Sequence, residues 1–265
     1  MKRAIVLLAF GTTVDKGREE NILPLCKKVE KKYIDYDVFL AFTSRIVVKR
    51  LKERNIFFHT EVTLLEKLKD DNYKEIYIQP LHIIGGAEFE KVKTNAQDVF
   101  KDSEDVTLRI GRPLLFYMGQ KEKTDDFGLF LENIQKELSI PEDEGLVLVG
   151  HGGMNAANSA YSLLQLKAWQ MGLPTWRVVA IESYPYVKDT VSPWWYGPRP
   201  KTLHVVPLLL VAGEHVMNDI FSAEEDSIAS QIENSGFTVV SHLRGLGSRH
   251  FVQELFMSHI DEMIK

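Results

Sequence analysis

Cysteine is almost absent from the chain: Cys26 is the single one among 265 residues. An intramolecular disulfide therefore cannot form, and a Cys-rich zinc or iron–sulfur site cannot be built. The sequence also lacks an apolar run of the ~18 to 20 residues that a membrane-spanning helix needs. Positive charge is not in excess, since the formal net charge is −5 and the pI is about 5.9. The overall charge thus gives no reason to expect binding to nucleic acid or to an anionic membrane.

The first residues, MKRAIVLLAFGTT, carry two basic side chains before a short apolar run. The run is at the lower limit for a secretory signal, and no small-residue cleavage site follows closely, so we interpret it as a buried first strand. These absences together predict a cytoplasmic protein that binds neither membranes nor nucleic acid. The sequence leaves open whether the protein forms a homo-oligomer.

Two kinds of segment alternate regularly along the chain. Short runs rich in Val, Ile and Leu alternate with longer segments of helical period, which predicts βαβ units on a parallel sheet. The predicted strands are 4–10, 37–42, 75–81, 106–110, 145–149, 177–182, 203–210 and 237–241. The predicted helices are 17–33, 45–53, 60–70, 87–100, 124–138, 155–171, 222–235 and 249–264. The fold class is therefore α/β.

The two halves of the chain resemble each other. AIVLLAFGTT at 4–13 resembles EGLVLVGHGG at 144–153, and later segments of the two halves also correspond. The repeat predicts two similar Rossmann-like or flavodoxin-like lobes, each a mostly parallel sheet flanked by helices, with a cleft between them. We expect an N-terminal lobe at 1–118 as one cleft wall and a C-terminal lobe at 119–265. Whether the last helix packs back on the N-terminal lobe is left open.

Three apolar runs of the second half each end in a side chain that can bind a metal. His151 follows LVLVG, Glu182 follows VVAI, and His215 follows VVPLLLVAGE. The carboxyl ends of parallel strands share one edge of a sheet, so these side chains are expected to converge there. Two imidazoles and a carboxylate suit Co²⁺, Fe²⁺, Ni²⁺ or Zn²⁺ and leave coordination positions open. The sequence alone does not select one of these metals.

Each of these residues also has an ordinary structural interpretation. For His151, which lies in a glycine turn at a strand end, the sequence favours function over the alternative of a hydrogen-bonded loop histidine. For Glu182, the alternative is an ion pair with a basic neighbour such as Arg177. His82 is more typical of a core or cleft-wall histidine than of a ligand. Five further histidines have no convergent partner in the sequence, so surface or capping roles are expected for them. They are His59, His204, His242, His250 and His259.

The first half has different residues at the positions that match the metal-capable set. Phe10, Phe42 and Glu88 correspond to His151, Glu182 and His215. The cleft wall opposite the metal would therefore present phenylalanine rings, which suit a flat, apolar substrate. The aromatic loop SPWWYGPRP is expected to cap such a substrate or to stabilise an oligomer, and the sequence does not decide between these roles.

Eight segments, spread over nearly the whole chain, carry a resemblance to a known family. They are FGTT at 10–13, AFTS at 41–44, LHIIGGAEFEK at 81–91, GHGG at 150–153, ESYP at 182–185, LLLVAGEHVMND at 208–219, EEDS at 224–227 and GLG at 245–247. In this order and spacing the chain resembles the anaerobic sirohydrochlorin cobaltochelatases of the CbiK type. These belong to the class II chelatases, which include ferrochelatase.

The resemblance implies an activity and a set of site residues. It implies a lyase that inserts Co²⁺ into sirohydrochlorin for cobalamin biosynthesis without a nucleotide, with metal ligands His151, Glu182 and His215. We expect His151 and His215 also to be catalytic. The residues expected to contact the tetrapyrrole are Phe10, Gly11, Thr12, Thr13, Phe42, Thr43, Ser44, Arg45, His82, Glu88, Gly152 and Gly153.

Two departures from the family pattern keep alternatives open. Arg45 stands where a small residue is usual, and SPWWYGPRP lengthens the region after ESYP. One alternative is a chelatase for another metal or ring, such as iron insertion for sirohaem, or an enzyme that removes a metal. Another is a carrier of tetrapyrrole or metal without catalysis, and a third is an α/β binding protein with a vestigial site.

Overall fold

The computed structural model describes residues 1–211, 213 and 216–265, and it describes residues 216 and 217 by their backbone only. The strands are β1 (Lys2–Ala9), β2 (Asp37–Phe42), β3 (His59–Thr60), β4 (Tyr73–Pro80), β5 (Thr107–Ile110), β6 (Gly145–Gly150), β7 (Trp176–Ala180), β8 (Thr202–Pro207) and β9 (Thr238–Ser241). The helices are α1 (Asp15–Asn21), α2 (Leu23–Lys32), α3 (Arg45–Glu53), α4 (Glu61–Asp70), α5 (Ala87–Phe100), α6 (Asp126–Leu138), α7 (Ser159–Gln170), α8 (Val187–Thr190), α9 (Ile228–Asn234) and α10 (His250–Ile264).

The first sheet contains five parallel strands in the order β3-β2-β1-β4-β5. Its central strand β1 is the apolar run KRAIVLLA, and residues 4–9 are fully buried. Parallel strands are covered by helices on both faces, so a central strand is apolar at consecutive positions rather than at alternate ones. This explains why the N-terminal run, which has the composition of a signal segment, is a core strand.

The second sheet contains four parallel strands in the order β7-β6-β8-β9. The first strand of this half, β6, lies between β7 and β8, as β1 lies between β2 and β4 in the first sheet. The order β2-β1-β4-β5 therefore recurs as β7-β6-β8-β9. The predicted fold class, two similar α/β halves with parallel sheets, is confirmed.

Two compact units make up the described chain. One comprises residues 1–114 and 247–265, and the other comprises residues 115–246. The last helix α10 belongs to the first unit, where Arg112 forms a two-pronged ion pair with Glu262 at 2.6 and 3.0 Å. Arg109 also donates to the backbone carbonyl of Met263 at 2.6 Å. That the two halves function as domains divided at 118 and 119 stays a prediction.

Local chemistry explains two of the larger differences between the observed and the predicted helix boundaries. The predicted helix 17–33 is divided into α1 and α2 at Ile22, because Pro24 in the first turn of α2 has no N–H to continue the hydrogen-bond ladder. The predicted helix 222–235 begins only at Ile228, where the Ser227 side chain accepts a hydrogen bond from Ser230 N as an N-cap.

None of the helices in the described residues combines the length and the apolar character that crossing a membrane requires.

Candidate active site

The site in the second unit begins where two neighbouring strands end. Gly150 at the end of β6 pairs with Ala180 at the end of β7. Beyond the strands, Ile181 N donates to Gly150 O at 3.0 Å and Glu182 N donates to His151 O at 2.9 Å. The two chains therefore continue side by side past the sheet, and this backbone pairing places His151 next to Glu182.

The side chains of His151 and Glu182 are close enough to act on one ligand. The distance from His151 Nδ1 to Glu182 Oε2 is 3.5 Å, and both side chains are solvent-accessible, at 39% and 57%. His151 Nδ1 also lies 3.2 Å from the carbonyl of Gly152. When Nδ1 carries the proton and donates it to this carbonyl, the lone pair is on Nε2, and that nitrogen is then available to bind a metal.

The glycine turn after His151 is held by residues that the sequence did not indicate. Gly152 adopts φ +90°, and a Cβ there would collide with Ser183. Ser183 Oγ accepts hydrogen bonds from Gly153 N at 3.3 Å and from Asn158 Nδ2 at 2.7 Å. Tyr161 OH accepts from Gly152 N at 3.3 Å. In the sequence, the only indication of this support is Gly152 itself, because only a residue without Cβ fits against Ser183.

The third predicted ligand, His215, lies outside the described residues. Over the part of the chain that is described, no group of three or more His, Cys, Asp or Glu side chains is arranged to hold a metal. The structure thus brings two of the three predicted ligands together. The complete set of His151, Glu182 and His215 stays a prediction.

Arg177 does not pair with Glu182, contrary to the structural interpretation considered for that carboxylate. Its guanidinium is 2% exposed and donates to four backbone carbonyls, those of Pro174, Trp176, Thr190 and Tyr196. It also stacks on the Trp194 ring at 3.7 Å from the centroid. Removal from water lowers the pKa of Arg177 to about 10.

The aromatic loop is divided between core and surface. Trp194 is 8% exposed and packs on Arg177, so its role is internal packing rather than capping a substrate. Trp195 next to it is 81% exposed. Only the outer part of the loop is therefore available for contact with a ligand or another chain.

In the first unit, the two predicted phenylalanine contacts have opposite environments. Phe10 follows β1 and is 53% exposed. Phe42 is fully buried and stacks on Phe58 with 4.5 Å between ring centroids, so the prediction that its ring lines a substrate surface is wrong. The ring lies under the turn at Gly11, whose φ is +97° and where a Cβ would be 2.7 Å from the ring.

The predicted contacts that follow β1 and β2 are held by hydrogen bonds from nearby elements of the same unit. The carbonyl of Thr12 accepts from Arg18 at 3.3 Å, and the carbonyl of Thr13 accepts from Arg54 at 2.5 Å. Thr43 is fully buried, and Ser44 Oγ accepts from Val47 N at 3.3 Å as the N-cap of α3.

His82 and Glu88 lie after the carboxyl end of β4. Both ring nitrogens of His82 are shielded from solvent, although part of the side chain is accessible, and they have no hydrogen-bond partner among the described residues. Burial lowers the pKa of His82 to about 4, and the nearby Glu88 carboxylate opposes this shift. Glu88 Oε2 is also shielded and lies 3.7 Å from Lys91 Nζ. His82 is thus a neutral imidazole near pH 7.

The depressed pKa of His82 predicts a dependence of stability on pH. The folded value of about 4 lies below the usual 6.5, so between these values the unfolded chain binds the proton more strongly. The free energy of unfolding should fall by about 1.4 kcal/mol per pH unit as the pH is lowered through this window. In His82→Leu this contribution should be missing. Urea unfolding at pH 7.0, 6.0 and 5.0 measures it, and parallel pH profiles for the two proteins would contradict it.

A histidine pair in the second unit corrects the expectation of surface roles for His204 and His242. His204 Nδ1 lies 2.8 Å from His242 Nε2, and His204 Nε2 lies 2.6 Å from Glu144 Oε2. The chain of hydrogen bonds connects the start of β6 with β8 and with the end of β9. It is a structural network away from His151, and its two hydrogen bonds join residues that are 60 and 38 positions apart in the sequence.

Comparison with known proteins identifies the family to which the chain belongs. The profile of the cobalt chelatase (CbiK) family matches residues 3–265. The sirohydrochlorin cobaltochelatase of Salmonella typhimurium is 31% identical over 266 residues, which cover 100% of this chain and 97% of that protein. The sirohydrochlorin cobaltochelatase CbiKC of Nitratidesulfovibrio vulgaris is 26% identical, with 98% of this chain and 89% of that protein covered.

Solved structures show the same fold. SirB from Bacillus subtilis with Fe³⁺ has a TM-score of 0.65 and 16% identity, covering 99% of this chain and 96% of that chain. CbiX, described as the terminal enzyme for biosynthesis of siroheme in denitrifying bacteria, has a TM-score of 0.56 and 15% identity, with full coverage of both chains. The family match over nearly the whole chain carries the assignment: the chain belongs to the CbiK family of cobalt chelatases.

Proposed function

We propose that the protein is a sirohydrochlorin cobaltochelatase, an enzyme that inserts Co²⁺ into sirohydrochlorin without a nucleotide in anaerobic cobalamin biosynthesis. The observation that carries the proposal is the pair His151 and Glu182, 3.5 Å apart at the carboxyl edge of a parallel sheet in a CbiK-family chain. The full-length relatives that bear this activity in their names support the choice of metal and ring.

In this proposal the metal is a substrate in transit. His151 and Glu182, with His215, hold Co²⁺ before it is transferred to the ring. Imidazole and carboxylate ligands suit Co²⁺ and leave positions open through which pyrrole nitrogens replace them. The negative charge of Glu182 helps to hold the dication until the pyrrole nitrogens replace the protein ligands.

Proton transfer balances the insertion. Two pyrrole N–H bonds break as Co–N bonds form, so two protons must leave the macrocycle. A histidine that is neutral near pH 7 can accept one of them, and His151 or His215 serves as this base once it releases the metal. The second proton is taken by solvent or buffer in this account.

The residues proposed to bind the tetrapyrrole follow the strand ends of both halves. In the first unit they include the exposed ring of Phe10, the side chain of Arg45 and the shielded pair His82 and Glu88. In the second unit they include Gly152 and Gly153, and the open space beside Gly153 supports close approach of the ring to the imidazole of His151. The predicted cleft stays a prediction.

The closest competing function is insertion of another metal. SirB structures of this fold contain Fe³⁺ in one case and cobalt in another, so the fold alone does not choose the metal. We expect the largest kcat/KM with Co²⁺ when Co²⁺, Fe²⁺ and Ni²⁺ are each offered with sirohydrochlorin under anaerobic conditions. A larger kcat/KM with Fe²⁺ would assign the protein to iron insertion.

A carrier function makes a different prediction for the same mixture. A carrier binds stoichiometric amounts of ring and metal, whereas an enzyme forms many equivalents of metallated product. Initial rates that are proportional to enzyme concentration, with sirohydrochlorin in large excess, support catalysis. Product formation that stops at one equivalent supports the carrier.

A further inference from the structure

Helix α3 of the first unit exposes a line of positive charge. Arg45, Lys49 and Lys52 are separated by four and three residues, so they lie on one face of the helix. All three side chains are exposed. At 1.5 Å per residue the line extends roughly 10 Å along the helix. We refer to these three residues as the α3 cationic stripe.

The stripe has no anionic partner among the described residues, unlike several other lysines of the same unit. Lys28, Lys32, Lys67 and Lys74 form ion pairs with Glu254, Asp261, Asp71 and Asp105. Among the residues that the structure describes, no ion pair or side-chain hydrogen bond involves the α3 cationic stripe.

This arrangement is unfavourable for the helix by itself. Like charges at a spacing of three or four residues repel, and the first turn of α3 has no acidic residue. Arg45 is in that first turn, where the positive end of the helix dipole disfavours a cation. A bound anion would turn both effects into attraction, and the stripe is therefore suited to an anionic ligand.

The stripe lies at the edge where ligands bind in this class of sheet. At the start of α3, Ser44 N donates to Phe10 O at 3.2 Å. After the end of α3, Arg54 donates to Thr13 O at 2.5 Å and pairs with Asp15 at 2.6 Å. Both ends of the helix are thus attached to the loop that follows β1, so α3 lies along the carboxyl edge of the sheet.

We propose that the α3 cationic stripe binds the peripheral carboxylates of the tetrapyrrole substrate, an inference that rests on the proposed chelatase function. Sirohydrochlorin is a flat ring with a carboxylate on each acetate and propionate arm. The protein has a net charge of −5, which repels such a polyanion unless cations are concentrated locally. Exposed Phe10 and Ile46, at 53% and 66%, provide apolar surface beside the charges.

The test compares two double charge reversals of equal net charge. Lys49→Glu with Lys52→Glu changes the stripe, whereas Lys27→Glu with Lys31→Glu changes two exposed lysines of α2. Each pair changes the formal net charge from −5 to −9, because two charges of +1 become −1. A Lys49→Arg, Lys52→Arg variant preserves the charge of the stripe. Melting curves of all variants verify that each is folded.

We expect the stripe reversal to raise KM for sirohydrochlorin about ten-fold with kcat within about two-fold of wild type, because several exposed ion pairs become repulsive. The wild-type KM should rise with added salt, and this dependence should be weaker in the stripe reversal. The α2 reversal and the arginine variant should keep a KM near that of wild type.

Equal KM values for the stripe reversal and the α2 reversal would overturn the proposal. This holds even if another ligand binds to that face of α3. Failure of the chelatase function is recognised separately, because the wild-type protein would then bind sirohydrochlorin without inserting Co²⁺. In that case an absorbance titration of sirohydrochlorin binding decides the proposal. A Kd weakened only in the stripe reversal supports it, and equal Kd values contradict it.

Discussion

His151→Ala is expected to lower kcat/KM for Co²⁺ insertion into sirohydrochlorin by at least about 100-fold while the protein stays folded. The substitution removes one of the imidazoles proposed to hold the metal and to accept a pyrrole proton, so both steps lose the same group. Stability should change by less than about 1 kcal/mol, because His151 is in a loop and its side chain is 39% exposed. Initial rates of insertion, with thermal unfolding alongside, measure the two quantities.

A second histidine provides the control for this experiment. His250 is 79% exposed at the start of α10 and pairs weakly with Glu254 at 3.6 Å. His250→Ala should therefore insert Co²⁺ at the wild-type rate. If His151→Ala kept that rate as well, the metal site proposed at the edge of the second sheet would be incorrect.

Arg177→Met is expected to lower the free energy of unfolding by roughly 3 to 5 kcal/mol, more than any other substitution named for this protein. The methionine retains much of the aliphatic volume but removes the donors to the carbonyls of Pro174, Thr190 and Tyr196. The carbonyl of Trp176 keeps a second donor, Gln165 Nε2, at 2.8 Å. These part-buried carbonyls lose charged donors, and the stacking of the buried guanidinium on Trp194 is lost as well. Urea unfolding measured by tryptophan fluorescence gives the difference.

Arg199 provides a matched comparison in the same unit. Its guanidinium lies 4.1 Å from the Phe237 ring centroid and donates to Ser235 O at 2.6 Å, but the side chain is exposed. Arg199→Met should lower stability by no more than about 1 kcal/mol, because water replaces the lost hydrogen bond. Equal losses in the two variants would show that burial of Arg177 is not the cause.

Much of the fold follows directly from the sequence because buried parallel strands are continuous apolar runs. The runs at β1 and β6 predict the two central strands, and the resemblance between the halves predicts that their neighbours follow the same order. The proximity of His151 and Glu182 follows from the same rule. Residues immediately after neighbouring parallel strands lie at one edge, and the backbone bond from Glu182 N to His151 O continues that pairing.

Other features depend on contacts that sequence spacing does not encode. Phe42 is the last residue of β2, and the Gly11 turn and Phe58 cover it, so its position at a strand end did not make it accessible. Arg177 binds carbonyls of a loop whose path no local signal specifies. The bond between His204 and His242 requires the register of β8 against β9, which is set by side-chain packing of the whole sheet.

An anaerobic absorbance time course, with sirohydrochlorin and Co²⁺ in large excess over purified protein, measures whether the chain catalyses metal insertion. We expect conversion to cobalt-sirohydrochlorin over many turnovers, at a rate proportional to protein concentration and well above the rate without protein. A rate equal to that of the protein-free mixture would contradict it.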